Sequence, residues 1–211
     1  MSTYQTDDEQ VEAIKKWWKE NGKSVIAGVV LGFGIIGGWQ WWQVHQKNQG
    51  EAASLVFDTM RQAVRLNQVD KALEDGRRLL GEYPGSAYAG FAALEMARLS
   101  YERGEKDAAR GHLQWVIDAA VDPSIAELAR LRLGRLLLDV DDTAALNELL
   151  AQSPLPAFDG EFAVLRGDLA RAQGDLTAAR DAYQQAMLSG VEDQTMLRMK
   201  LVDVGGLEPA S

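Results

Sequence analysis

The chain contains no cysteine. That excludes disulfides, thiolate zinc sites and cysteine nucleophiles together, and it fits an oxidising compartment. Histidine is almost as scarce: His45 and His112 are the only two, too few for most imidazole-based catalysis or metal ligation. Basic residues are outnumbered, 22 Lys and Arg against 31 Asp and Glu, for a net charge of −9 and a pI near 4.8. Such a balance argues against nucleic acid, whose phosphates require clustered Lys and Arg. What is present is ordinary for a folded chain. The 211 residues are 46% hydrophobic and 25% charged, enough for one or two domains with a sizeable core.

Charge and tryptophan are unevenly placed. In residues 1–50, Lys15, Lys16, Lys19, Lys23 and Lys47 balance Asp7, Asp8, Glu9, Glu12 and Glu20, so residues 51–211 carry the whole −9. Trp17, Trp18, Trp39, Trp41 and Trp42 lie in the first fifth, and only Trp115 lies beyond. Between the two early Trp groups, Ser24 to Trp42 is 19 residues without a charge. As a helix it would span roughly 28 Å, close to the hydrocarbon thickness of a bilayer. Indoles at both ends suit the two interfaces, so a transmembrane helix over 24–42 is expected. The Lys15–Lys23 cluster puts the N-terminus in the cytoplasm and the larger part across the membrane, in the periplasm of a Gram-negative cell. The bulky Trp39–Trp42 stretch stands where a signal-peptide cleavage site would need small residues, so the anchor is read as uncleaved. Residues 10–20 form a short amphipathic segment, with Val11, Ile14, Trp17 and Trp18 beside Lys15, Lys16 and Lys19, suited to the cytoplasmic membrane surface.

Gly32-Phe33-Gly34-Ile35-Ile36-Gly37 matches the dinucleotide fingerprint G-x-G-x-x-G, but it lies inside the apolar run, where a pyrophosphate has no place. The pairs Gly28/Gly32 and Gly34/Gly38 read instead as a membrane-helix contact face, or as glycines merely tolerated in a lone span.

From Ala52 onward the pattern is helical and strand signals are absent. Breakers at Asn67–Asp70, Tyr83–Gly85, Arg103–Glu105, Val121–Pro123, Asp139–Asp142, Ser153–Pro156, Gln173–Asp175 and Ser189–Gly190 divide it into eight short helices in four hairpins. Met60, Ala97, Gly134 and Gly167 recur at steps of 37, 37 and 33, and so do Ala72, Ala109, Leu146 and Ala179. Two-helix units of that period indicate an α-solenoid. The pattern resembles the tetratricopeptide repeat, most clearly in Gly167, Gly174-Asp175, Ala179, Tyr183 and Ala186. The third unit departs, with Leu146 at a usually small position, and Gly134 is expected to make the room. Pro154 and Pro156 should cut its second helix short. A helix from Glu192 to Val204 would close the stack. The expected fold is therefore all-α: one transmembrane helix, then about four tetratricopeptide-like hairpins with a closing helix. The expected divisions are a leader (1–23), the span (24–42), a linker (43–51), the repeat domain (52–204) and a disordered tail (205–211).

No catalytic constellation emerges, and no cofactor is implied. Asp139, Asp141 and Asp142 lack the Gly and Glu of a calcium loop and read as a turn and helix cap. What remains is a binding surface. In the repeat family the inner groove is lined by first-helix residues. Here that transfer gives an apolar row of Phe57, Leu94, Leu131 and Val164. Beside it run Arg61, Arg98, Arg135 and Asp168, and then Val64, Tyr101, Leu138 and Arg171. Apolar contact beside three Arg suits a polypeptide. Equally open is that the Arg pair with local acids while the apolar row is core.

The whole order, a Lys/Trp leader, a glycine-rich span and an acidic repeat domain, resembles the YfgM-type ancillary subunits of the SecYEG translocon. The leader Ile14-Lys15-Lys16-Trp17-Trp18-Lys19-Glu20-Asn21-Gly22-Lys23 is its most specific part. The resemblance implies a non-enzymatic inner-membrane protein that associates with the translocon and with the membrane-anchored periplasmic chaperone PpiD. It would help pass translocating polypeptides to periplasmic chaperones, with no nucleic acid and no small-molecule substrate. Two other classes stay open: a single-partner scaffold for envelope assembly or stress signalling, and an enzyme subunit whose partner supplies the chemistry.

Overall fold

The computed structural model describes residues 7–119, 122–191 and 193–206. It divides into two units, Met1–Glu51 and Ala52–Ser211. Among the described residues every regular element is helical.

The first unit is built on helix α1, Asp7–Arg65, whose residues from Ala52 onward belong to the second unit. No proline interrupts it. Its apolar side chains point outward on every face: Val29, Leu31, Phe33, Ile35, Ile36 and Trp41 are all at least half exposed. A helix that is apolar all round satisfies its own backbone but needs something other than water around it. By length and composition, no single described helix is long and apolar enough to cross a membrane. The stretches Ile14–Lys23 and Gly28–Arg65, bent by 50° at their junction, pass together. In the leader the Trp18 indole lies 3.3 Å from where a Cβ of Gly22 would project, and the Asn21 amide donates to the Trp17 carbonyl at 3.1 Å. Residues 43–51, expected as a linker, are helical.

The second unit stacks helical hairpins. The end of α1 pairs with α2 (Val69–Glu82), α3 (Ala87–Glu102) with α4 (Lys106–Ala119), α5 (Pro123–Asp139) with α6 (Thr143–Leu150), and α7 (Asp159–Ala172) with α8 (Leu176–Ser189). Helix α9, Gln194–Asp203, follows. One turn chemistry closes all four hairpins. Asn67, Gly104, Asp141 and Gly174 hold positive φ values of 56°, 78°, 57° and 81°. The N–H of the next residue, Gln68, Glu105, Asp142 or Asp175, then reaches back to the carbonyl five residues earlier, at 2.8–2.9 Å. This ends the first helix in a left-handed cap, where Gly, Asn and Asp are the tolerated residues. Asp142 and Asp175 then cap the second helix, accepting from the N–H of Ala145 and Ala178. These turns keep the 37, 37 and 33 steps of the sequence pattern.

The core runs through the stack as linked clusters of Ala, Leu and Met, including Met60, Leu79 and Met96, then Leu113, Leu137 and Phe162, then Tyr183, Leu197 and Leu201. Each large buried side chain contributes roughly 1.5–3 kcal/mol. Glycines admit the closest contacts. A Cβ on Gly167 would meet the Tyr183 ring, and one on Gly76 would lie 2.5 Å from Met96 Sδ. At Gly134 the space is filled first by Leu165, with Leu146 Cδ1 at 3.4 Å, so the expected exchange of volume with Leu146 is shared with the next repeat. Helix α6 has only eight residues, and a short 3-10 turn at Pro156–Phe158 leads into α7. After α9, Gly205 turns left-handed and the Gly206 N–H bonds the Leu201 carbonyl at 2.7 Å. Those two glycines, expected in a disordered tail, therefore cap α9. The rest of that tail, 207–211, lies outside the described residues.

Candidate functional site

The first helices of the second and third hairpins, α3 and α5, stand side by side with α4 behind them. Between them lies a cleft of about 360 Å³. Its floor is apolar: Leu94 and Ala97 from α3, Ala109 and Leu113 from α4, and Leu136 from α5. Its rim carries Arg98 and Tyr101 on one side, Arg132 and Arg135 on the other. A second, wider cleft of about 1,060 Å³ lies farther along the stack, between Arg135, α7 and α9.

The sequence-derived groove residues divide between cleft, core and surface. Leu94 is buried and floors the cleft, whereas Leu131 is buried in the core and does not line it. Phe57 is half-buried, its ring 5.6 Å from that of Tyr88 and 6.2 Å from that of Phe91. Val64 and Leu138 are half-buried, and Arg61 is exposed. Val164 and Asp168 line the second cleft. Asp168 accepts from the Tyr183 hydroxyl at 2.7 Å and pairs with Lys200, which ties α7, α8 and α9 together. Burial first, and then that hydrogen bond, raises the Tyr183 phenol above its ordinary pKa.

The two Arg of the cleft rim that the sequence singled out are not equivalent. Arg98 is held on its own helix by Glu95 at 2.6 Å and by Glu102 at 2.5 Å. Those hydrogen bonds, Glu95 first, raise its basicity further. Arg135 has no ion pair or hydrogen bond among the described residues. Tyr101 donates its hydroxyl to Asp139 at 3.1 Å, and Lys106 bonds the same carboxylate at 2.8 Å. The Lys106 bond, then the Tyr101 bond, holds Asp139 below the ordinary carboxylate range. Asp142 is lowered likewise, by the Ala145 N–H first and Arg110 next. Asp139 and Asp142 thus bind neighbouring helices and cap α6, and Asp141 forms the turn.

The groove reading missed five lining residues, Ala97, Ala109, Leu113, Arg132 and Leu136, of which the two Ala had been read only as repeat positions. Arg132 lies one turn before Arg135 on the same face of α5, a spacing that could have revealed it. Leu113 comes from a second helix, and Leu136 follows Arg135 directly. Burial, with Arg135 and Arg98 adding to it, lowers the pKa of Arg132, while Glu95 opposes the shift. His112, half-buried on α4, is held below its ordinary value by burial and then by the Arg77 charge; the side chain of His45 lies outside the described residues. In the first unit, Gly28, Gly32, Gly34 and Gly38 are open, with nothing within 4 Å of where a Cβ would project.

Comparison with known proteins adds independent findings. A family model described as a tetratricopeptide repeat-like domain matches residues 15–206. A protein of Haemophilus influenzae described as an ancillary SecYEG translocon subunit is 32% identical, over 92% of this chain and 96% of its own length. One of Escherichia coli with the same description is 29% identical, over 95% and 98%. One of Neisseria gonorrhoeae is 29% identical, over 89% and 87%.

Proposed function

The chain belongs to the tetratricopeptide repeat-like family of ancillary SecYEG translocon subunits, and from that premise we propose that it is a membrane-anchored, polypeptide-binding accessory of the translocon. In this reading Ser24–Trp42 crosses the inner membrane once. The N-terminus is cytoplasmic, and the repeat unit faces the periplasm. There it receives segments of translocating polypeptides and passes them to periplasmic chaperones, with the membrane-anchored PpiD as a partner. The observation that carries it is the pairing of two features in one chain. One is a helix whose large apolar side chains are exposed on every face, which a bilayer would cover. The other is an open cleft with an apolar floor and guanidinium rim, which suits an extended peptide. Gly28, Gly32, Gly34 and Gly38 offer close approach to a partner helix within the membrane.

The test is in-cell photocrosslinking on the full chain, with the reactive residue at Leu136 in the cleft and at Gly32 in the span. Leu136 should capture chains in transit, and Gly32 should capture a translocon subunit. A periplasm-dependent reporter fused after Ser211 should be active. An inactive reporter overturns the topology. Capture of one fixed folded partner at Leu136, with no translocating chain, overturns the client reading.

A further inference from the structure

Residues 51–211 carry a net charge of −9, yet three guanidinium groups gather on one cleft. Their partners separate them. Arg98 is neutralised by Glu95 and Glu102. Arg132 and Arg135, one helical turn apart on α5, have no ion pair or hydrogen bond among the described residues. An acidic domain offers many carboxylates, and other Arg on these helices find them: Arg110 pairs with Asp142 at 2.9 Å and Arg130 with Glu127 at 3.0 Å. Two adjacent Arg without an ion pair, above a floor of Leu94, Leu113 and Leu136, therefore keep their forked donors available next to an apolar surface, with Glu95 acting on Arg132 only at longer range. Burial first lowers the basicity of Arg132, and the Arg135 and Arg98 charges add to it against the pull of Glu95.

We propose that Arg132 and Arg135 select polypeptide segments in which a large apolar residue stands beside Asp or Glu. The apolar side chain enters the cleft, and the carboxylate bridges the two guanidinium groups. Forked guanidinium donors match a carboxylate in two-point geometry, and the apolar floor shields that contact from water. A cleft of about 360 Å³ has room for a side chain or two, not for a folded surface. The selectivity rests on the polypeptide-binding role proposed above, which it narrows to one chemical class of segment. The −9 charge of the surrounding domain sharpens the choice. A net negative domain disfavours acidic chains in general, so an acidic segment should be retained best in the register that places its carboxylate on α5.

The experiment uses the full chain in lipid nanodiscs and a fluorescein-labelled decapeptide with a central Leu-Phe pair flanked by two Glu. A second decapeptide carries Gln in place of each Glu. Fluorescence anisotropy should show the Glu peptide binding about tenfold more tightly than the Gln peptide, about 1.4 kcal/mol. The preference should shrink as salt rises from about 50 to 300 mM. It should vanish in the double variant Arg132→Gln/Arg135→Gln and persist in Arg78→Gln, whose exposed guanidinium pairs with Glu82 on α2. Circular dichroism melting of each variant shows whether it is folded. Equal binding of both peptides by the native chain overturns the selectivity while leaving a general polypeptide-binding role standing. Retention of the preference by the folded double variant places the anion site elsewhere and also overturns it. If the double variant does not fold, Arg135→Lys serves in its place: it keeps the charge but loses the fork, and an undiminished preference there overturns the two-point contact. Absence of binding by either peptide overturns both the selectivity and the client reading.

Discussion

Gly104 holds φ +78° with open space where a Cβ would project, whereas Gly167 lies in helix α7 with the Tyr183 ring in that place. Both break when a methyl group is added, by different physics. Gly104→Ala meets no atom but forces an L-residue into the left-handed region, a cost of about 1–2 kcal/mol. Gly167→Ala must displace a fully buried ring whose hydroxyl is fixed to Asp168, and overpacking of that kind costs about 1–3 kcal/mol. Urea unfolding of the two variants gives the totals. A double-mutant cycle with Tyr183→Leu should show coupling above about 0.5 kcal/mol for Gly167→Ala and none for Gly104→Ala. Coupling at both, or at neither, contradicts the distinction. Gly167 was legible in the 37, 37 and 33 register, and Gly104 as part of the breaker at Arg103–Glu105. Met60 stands in the same register as a large residue among small ones, and what the sequence did not show is that its space is provided by a residue on the facing helix. A Cβ on Gly76 would lie 3.3 Å from Met60 Cε. Close approach is a property of two facing positions, and self-comparison along the chain does not show which helix contributes the small one.

Helix α6 is eight residues long, while α2, α4 and α8 each have 14. Pro154 and Pro156 made that shortening legible. They did not reveal what covers the exposed end. Arg130 of α5 donates to the Leu149 carbonyl at 3.2 Å and the Gln152 carbonyl at 3.1 Å. It also pairs with Glu127 at 3.0 Å and lies 5.1 Å from the centre of the Phe162 ring. One largely buried guanidinium thus joins α5, the end of α6 and α7. Arg130→Ala leaves Glu127 buried without a partner and two carbonyls without donors, a loss of about 3–5 kcal/mol. Replacing Glu127 by Leu in the same chain should recover part of it, because the stranded charge is then gone. Thermal unfolding of the single and double variants measures both effects. A loss under about 1 kcal/mol for Arg130→Ala would make the pair a surface ornament. The contrast with Arg98 is instructive: its acids stand three residues before and four after it on the same helix, so its neutralisation could be read from spacing. Arg130 has Glu127 at that same spacing, but its carbonyl and aromatic partners lie at the end of α6 and on α7, and only the fold brings those to it.

The buried core belongs entirely to the second unit: every buried hydrophobic side chain among the described residues lies between Ala53 and Val204. The division at Glu51 therefore separates a stretch of helix whose large apolar side chains are exposed from a stack that buries its own core. It does not coincide with a helix end, because Ala53, Val56, Met60 and Ala63 of α1 are part of the repeat core. Two truncations separate these statements. A chain starting at residue 49 keeps the four core residues and loses the apolar sleeve. It should be soluble without detergent, helical, and should melt in one cooperative transition. A chain starting at residue 67 removes the first helix of the first hairpin and uncovers α2 at Ala72 and Leu79, both 0% exposed in the intact chain. Loss of Met60 contacts alone is worth about 2–5 kcal/mol, a large share of the 5–15 kcal/mol that holds a domain together. The shorter chain should therefore melt at least about 10 °C lower, or unfold in its first repeat before the rest, as stacked hairpins do when an end is left open. If the chain starting at 49 needs detergent, the surface that must be kept from water extends beyond residues 24–42. If the chain starting at 67 melts with the longer one, the end of α1 is a connector and the stack begins at α2.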